Sequence, residues 1–560
     1  DLGAHDHEGA VQSAFLLLHY SASRKIGYLL RMVAPDIAKA ASQDHDDLLM
    51  ECLSCVINPE SKPLHTLPDE EDEVDFGNEE RVKAFDQATL PVRLGGLGLS
   101  SARRTSNAAF VAGWADYLVF MHEQQPQLFP HVRTAISANT LKKPTPSASA
   151  PIRFLLNAWR GLEADLTREP YGDGGHIPGI TSITFAFGDG VTAPSDLIKA
   201  KSGQQSALTA AMWDCFNVSM RINRPTAYTF SEDDQRRLTA CSGPEATWVS
   251  QVPTRTEYRM TSTQWRVAIC LRLRVPIEFL RSGPTKCECH ARFDENSRQR
   301  AHRAARASHE RLGSSARKHQ RVQRNAPMPL DIFGDHPLLC KLGGGQLIRH
   351  NQIVNVVNDD IMPRKGLVSR TSLERTLRRD SDDPSRKKGD MDVENLERNG
   401  NITSVDFGVA TTFSDTYSLS IKSLTERGHA ANQYGRRKAD GEKGYLNTIK
   451  QNKLAVSYNG FIVEHLGAFG SEAWRFINKV NKVADPAGSD PDGFSPFGRP
   501  DFKRHFMLAV GFANQRGNAA IIVNANVRRR AHARDFSTYT SGHSPNDGLY
   551  GGCNWHLANN

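Results

Sequence analysis

The 560-residue chain contains no apolar run near the roughly 18 residues that a bilayer-crossing helix needs. Nor does a signal-peptide pattern open it. A nuclear or cytoplasmic setting with no membrane partner is therefore expected. Cysteine is sparse, and the nine are odd in number and scattered from Cys52 to Cys553, unlike a secreted disulfide framework. Also missing is the apolar hairpin with paired aspartates on which a polymerase holds two metal ions. Asp46-Asp47 sits in a helical stretch, Asp359-Asp360 follows Asn358, and Asp382-Asp383 stands among serines and a proline. The chain is expected not to polymerise nucleic acid. It opens without an initiator methionine, as a fragment of a longer protein would.

What is present is ordinary soluble-protein material: 39% hydrophobic and 24% charged residues, with room for three or four domains. A mean hydropathy of −0.49 gives loops and polar inserts a large share. A net charge of +8 and a pI near 8.9 point to a polyanionic partner. Apolar periodicity around Ser13–Leu18, Ile26–Arg31 and Asp46–Ile57 predicts buried helices. An acidic run, Asp69–Glu80, reads as a solvated loop. The glycines of Gly95-Gly96-Leu97-Gly98 fit either a structural turn or a backbone approach to phosphate. The arginines of Trp265-Arg266-Val267-Ala268-Ile269-Cys270-Leu271-Arg272-Leu273-Arg274 face nucleic acid or cover a core helix with their stems.

The densest chemistry lies in Lys387–Glu464. Acidic residues Asp390, Asp392 and Asp406 stand on or beside short apolar segments, and a lysine-bearing helix follows. Carboxylates with a nearby ammonium suit a hard divalent cation and phosphodiester chemistry, although solvated carboxylates at strand ends have the same pattern. A second group is Cys287-Glu288-Cys289 with His336 and Cys340, three thiolates and an imidazole fit for a tetrahedral zinc, or simply buried and exposed thiols. The 46 residues between Cys289 and His336 do not forbid the site. Lengthening a loop from about seven residues costs about 1.7 kcal/mol, while structural zinc supplies roughly 10 kcal/mol or more. That insertion is strongly basic and includes Arg303, Arg306, Arg317, Arg321 and Arg324. It reads as a solvated arm or a nucleic-acid contact. Neutralising five phosphates would give a log–log salt slope of about −4.5.

The order of these pieces resembles the region downstream of the polymerase core in reverse-transcriptase polyproteins of non-LTR retrotransposons that carry a C-terminal restriction-like endonuclease. The resemblance runs from Tyr28-Leu29-Leu30-Arg31 and His45-Asp46 through Leu90-Pro91 and Gly95–Leu99 to Trp114. It continues through Trp248–Pro253, Leu271–Arg274, the cysteine pair, Gly334-Asp335-His336 with Cys340, Arg349-His350-Asn351 and Ala513–Ala519. It is discontinuous but spans most of residues 20 to 520. It implies a CCHC zinc knuckle of Cys287, Cys289, His336 and Cys340, with Arg349 and His350 in the neighbouring motif, counted here among nucleic-acid contacts. It also implies a PD-(D/E)xK-like nuclease in which Asp390 and Asp406 hold Mg²⁺ and Glu464 is a further ligand. Gly408 stands where that motif has lysine, which leaves Lys443 as the candidate and Lys438 as its rival. Gly389 replaces the usual proline, and Asp392 competes with Asp390.

The expected fold is multidomain α+β. It comprises a thumb-like helical region (1–134), a Ser/Pro/Gly-rich connection (135–206), a helical linker (207–285) and the zinc knuckle with its insertion (286–351, insertion about 296–325). An α/β nuclease on a mixed sheet (352–535) and a tail (536–560) follow. The expected function is metal-dependent nicking of target DNA to prime reverse transcription, with element RNA as a second partner. The rival is a catalytically dead nucleic-acid-binding remnant; a third possibility is a scaffold without nucleic acid.

Overall fold

The computed structural model describes residues 9–58, 78–140, 149–167, 194, 197, 205–221, 230–281, 331–340, 345–371, 389–397, 401–414, 420–440, 445–451, 456–483 and 502–540. The fold is mixed α+β and mostly helical, with one four-stranded sheet. The zinc-knuckle cysteines Cys287 and Cys289, the insertion arginines Arg303, Arg306, Arg317, Arg321 and Arg324, Lys443 and Asp382-Asp383 lie outside the described residues. Among the described residues, no helix is long and apolar enough to cross a membrane.

The N-terminal half is built from α1 (Ala10–Tyr20), α2 (Pro35–Ile57), α3 (Ala102–Gln124), α4 (Ala150–Thr167), α5 (Gln205–Arg221), α6 (Glu232–Cys241) and α7 (Ser262–Leu273). Local chemistry sets their starts. Pro35 occupies the first turn of α2, where a missing N–H costs nothing. Ser231 with Asp234, and Thr261 with Gln264, form reciprocal capping boxes on α6 and α7. Asp46, from the first aspartate pair, is buried in α2 and accepts from the Ser101 hydroxyl (2.6 Å) and the Ala102 N–H (2.7 Å). It anchors the start of α3.

The glycine turn is structural. Gly95 and Gly98 have φ of +98° and +74°, and a Cβ on Gly96 would lie 2.0 Å from the Leu90 carbonyl oxygen. Arg272, almost fully buried, stitches this turn by donating from Nε and Nη2 to the Gly96 carbonyl (3.1 and 3.0 Å) and from Nη2 to that of Val92 (3.3 Å). Gln87 donates to the carbonyls of Gly95 (3.1 Å) and Arg272 (2.8 Å). Arg272 therefore does not face nucleic acid, and its charged head is itself buried rather than its stem alone covering the core.

The sheet runs in the order β1 (Ser369–Thr371), β2 (Met391–Val393), β3 (Ile402–Ala410), β4 (Val456–Glu464). The first three strands are antiparallel, and β4 pairs with β3 in parallel over nine residues each. The helices around it are α8 (Gly345–Asn355), α9 (His429–Asp440), α10 (Tyr445–Gln451), α11 (Ser471–Lys482) and α12 (Phe502–Thr540). Because side chains alternate along a strand, Val405 and Phe407 enter a core with Met391, Phe461, Phe476 and Phe506. The intervening Asp406, Gly408 and Ala410 face the side covered by α9, where Ala410 packs with Ala430, Ala431 and Ile462.

Helix α12 is the wall shared by the two halves. Phe502, Phe506, Ala509, Val510 and Ala513 belong to the sheet core. Leu508, Phe512, Ala519, Ile521 and Ile522 belong to a core with Trp248, Trp265, Phe15 and Leu53. Segments expected to be separate along the sequence thus contribute to two cores that meet on one helix.

Replacing Arg272 with Leu removes the charged donor from the Gly96 and Val92 carbonyls. It should cost about 3 kcal/mol of stability, read as a lower urea midpoint. An unchanged midpoint would mean that the turn does not depend on this side chain.

Candidate active site

Asp390 lies one residue before β2, and Asp406 lies within β3. The pairing Met391↔Val405 and Asp392↔Ser404 continues to set Asp390 opposite Asp406, where cross-strand Cβ atoms are roughly 5 Å apart. Their carboxyl groups meet at hydrogen-bonding range. Asp392 follows on β2 opposite Ser404 and is not part of this contact. At Gly389, a Cβ would fall 2.1 Å from the Ser404 hydroxyl oxygen. Proline there would require Ser404 to turn away.

The lysine comes from α9. Lys438 Nζ lies 2.7 Å from Asp406 Oδ2 and donates to the Phe407 carbonyl at 3.1 Å. A Cβ on Gly408 would lie 2.8 Å from the Tyr434 ring and 2.9 Å from Ile462, so α9 occupies the space that a lysine at 408 would need. Small residues Ala430 and Ala431 pack α9 directly against Ile462 of β4, which brings Lys438 within reach.

Tyr445 and Tyr458 stack on each other, with ring centroids 4.7 Å apart. They donate to Asp406 Oδ1 (3.3 Å) and Oδ2 (3.5 Å). His350, on α8, is joined by Nε2 to Asp390 Oδ2 at 3.0 Å, and the Phe407 N–H donates to the same oxygen at 2.7 Å.

Burial pushes Asp406 up to about 6, and the Asp390 charge adds to this against the pull of Lys438. Burial acts on Asp390 in the same direction, but the His350 and Phe407 hydrogen bonds outweigh it and hold this carboxyl below its ordinary value. Lys438 and His350 are both raised, since their carboxylate partners outweigh the burial that disfavours their charged forms. Both tyrosines are pushed upward, first by burial and then by Asp406, so they act as donors rather than phenolates.

The remaining expected residues fall elsewhere. Glu464 stands four residues along β4 from Gly460, the partner of Asp406. Fully buried, it accepts the Ala430 N–H at 3.0 Å and also that of Ala431, at the start of α9. There its carboxyl oxygens satisfy N–H groups that the first turn leaves without a partner; the structure does not bring it to the Asp390–Asp406 pair. Arg349 is buried, donates to Asn518 Oδ1 at 2.7 Å and is lowered to about 10 by burial. It joins α8 to α12 and offers no surface to nucleic acid. His336 is buried and Cys340 half-buried, four residues apart at the short helix Asp335–Leu339, a spacing that sets both on one face.

Among the described residues, no group of three or more His, Cys, Asp and Glu side chains gathers as a metal cluster. The oxygens that do converge, from two carboxylates and the Phe407 carbonyl, share the Lys438 ammonium. Such hard donors, completed by water, fit a cation of the Mg²⁺ class. The structure thus sets two paired acids and a lysine on three neighbouring elements. No protein-family model matches the chain, and no curated protein matches it.

Glu464 also ties stability to pH. Burial and the nearby Glu245 charge raise it from 4.5 to about 8, the two N–H groups pulling the other way. The folded chain then holds a proton that the unfolded chain releases between those values, so this group makes stability fall as pH rises through that window. Glu464→Gln keeps an acceptor but cannot ionise. Its melting temperature relative to the unsubstituted protein should climb between about pH 5 and about pH 8; a flat difference would contradict the raised value.

Proposed function

We propose that this chain is the restriction-like endonuclease portion of a non-LTR retrotransposon reverse-transcriptase polyprotein. In this reading Asp390, Asp406 and Lys438 form a Mg²⁺-dependent site that nicks target DNA to prime reverse transcription. The observation that carries the reading is the convergence of Asp390 and Asp406, 16 positions apart in the sequence, on one ammonium from a following helix. Two acids and a lysine distributed in this way are what the PD-(D/E)xK resemblance implies. Burying such charges is costly, and neither a scaffold nor a dead remnant gains from the arrangement.

Asp390, Asp406 and the Phe407 carbonyl would hold the cation, and Mg²⁺ there would supply charge neutralisation and a more acidic water. Lys438 offers a positive charge to the phosphate and a donor to an attacking water, set in place before reaction. Tyr445 and Tyr458 fix the orientation of Asp406 by donating to both of its oxygens. The zinc knuckle belongs to the same reading: His336 and Cys340 supply two ligands from one helical turn, and Cys287 and Cys289 supply the other two. Target DNA and element RNA are the partners.

Two measurements test this. Duplex DNA should be nicked with Mg²⁺ and not with chelator. Asp406→Ala and Lys438→Ala should each lower the rate by about 100-fold or more, while Lys443→Ala lowers it less than about tenfold. Nicking by Asp406→Ala at the unsubstituted rate would end the assignment. Metal analysis should find one zinc per chain, lost in Cys289→Ser and His336→Ala; purified protein without zinc would remove the knuckle.

A further inference from the structure

We infer that His350 is a positioning residue for Asp390, held in place by the long closing helix; this rests on the nuclease reading above. Asp390 Oδ2 is occupied twice, by His350 Nε2 at 3.0 Å and by the Phe407 N–H at 2.7 Å. One carboxylate oxygen is thereby clamped, which fixes the orientation of the carboxyl group towards Asp406. The clamp on the ring is itself set: His350 Nδ1 lies 3.1 Å from Asn351 Oδ1. Carboxylate–imidazole pairs of this kind fix the orientation of metal ligands.

The ring stays in reach because α8 is locked from its other side. Arg349, the preceding residue, projects about 100° around the helix from His350 and donates to Asn518 on α12. A Cβ on Gly517 would lie 2.5 Å from Arg349 Cγ, so glycine is needed for the two helices to come this close. On α12, Asn514, Gln515 and Asn518 donate to the His465 carbonyl at 3.1, 3.2 and 2.7 Å, fixing the helix to the end of β4. A continuous polar path therefore runs from the strand after the lysine helix, through α12 and Arg349, to His350 and Asp390.

The test is Mn²⁺ binding to the full chain without DNA, by calorimetry, which needs no catalysis. His350→Leu keeps bulk and removes the donor; His350→Gln keeps a donor near the Nε2 position; His350→Ala removes both bulk and donor. The Leu and Ala variants should bind Mn²⁺ about 10- to 100-fold more weakly, with the Gln variant within about threefold of the unsubstituted protein and all three melting alike. Unchanged affinity in a folded Leu or Ala variant, or a Gln variant as weak as Leu, would overturn the role of His350. Asp406→Ala separates the two ideas. If it loses Mn²⁺ while His350→Leu does not, only the His350 inference fails. If the unsubstituted protein takes up no Mn²⁺, the nuclease reading fails and carries this inference with it.

Discussion

Two carboxylates set side by side in a mostly buried position repel each other and lose hydration, so the surrounding fold must offset both costs. Here each offset comes from a different element. Lys438 on α9 sits against Asp406, His350 on α8 against Asp390, and Tyr445 and Tyr458 donate from α10 and β4. None of these contacts is local. Each requires its own element to be seated to within a fraction of an ångström, and the requirement passes outward. Helix α9 needs Gly408 and the alanines beneath it, and Glu464 at its start. Helix α8 needs Arg349 and the gap at Gly517.

The shared wall α12 has two roles for the same reason. One of its faces completes the sheet core and another the helical core, while its polar residues grip the end of β4 through the His465 carbonyl. The buried Glu245 adds a second tie between the halves, accepting from Trp474 Nε1 at 3.0 Å and facing Arg427 at 3.3 Å. Displacing the helical half would therefore disturb the sheet half at both places. This coupling is a property of packed interiors, which shift between discrete arrangements rather than deform smoothly.

Much of the sheet was legible because period-2 alternation is a local signal. Val405, Phe407 and Val409 alternate with Asp406 and Gly408, so the face carrying Asp406 follows from the strand alone. The choice of Asp390 over Asp392 depends on which one the β2–β3 register sets opposite Asp406, and register is not written in either segment. The role of Lys438 turns on how far α9 can approach β4, a matter of small residues whose partner strand lies beyond the helix in sequence. The sequence pairs Arg349 and His350 as expected nucleic-acid contacts, yet a step of one residue around a helix points them at different neighbours. The signal that could have separated them was Gly517 with Asn518 in α12, a gap and an acceptor more than 160 residues away.

Charge balance explains why the site can assemble in this form. Asp390 and Asp406 bring two negative charges when ionised, and the Lys438 ammonium and the His350 ring stand against them, both shifted upward by their carboxylate partners. These partners offset the repulsion between the two acids, so the strands can pair without an added ion. The His336–Cys340 turn has a different constraint. It offers only two soft ligands, and a tetrahedral ion would need the remaining two from distant sequence. The two metal sites of this reading therefore stand in opposite relation to folding: at the sheet the fold prepares the oxygens, whereas at the knuckle the ion would have to gather the chain.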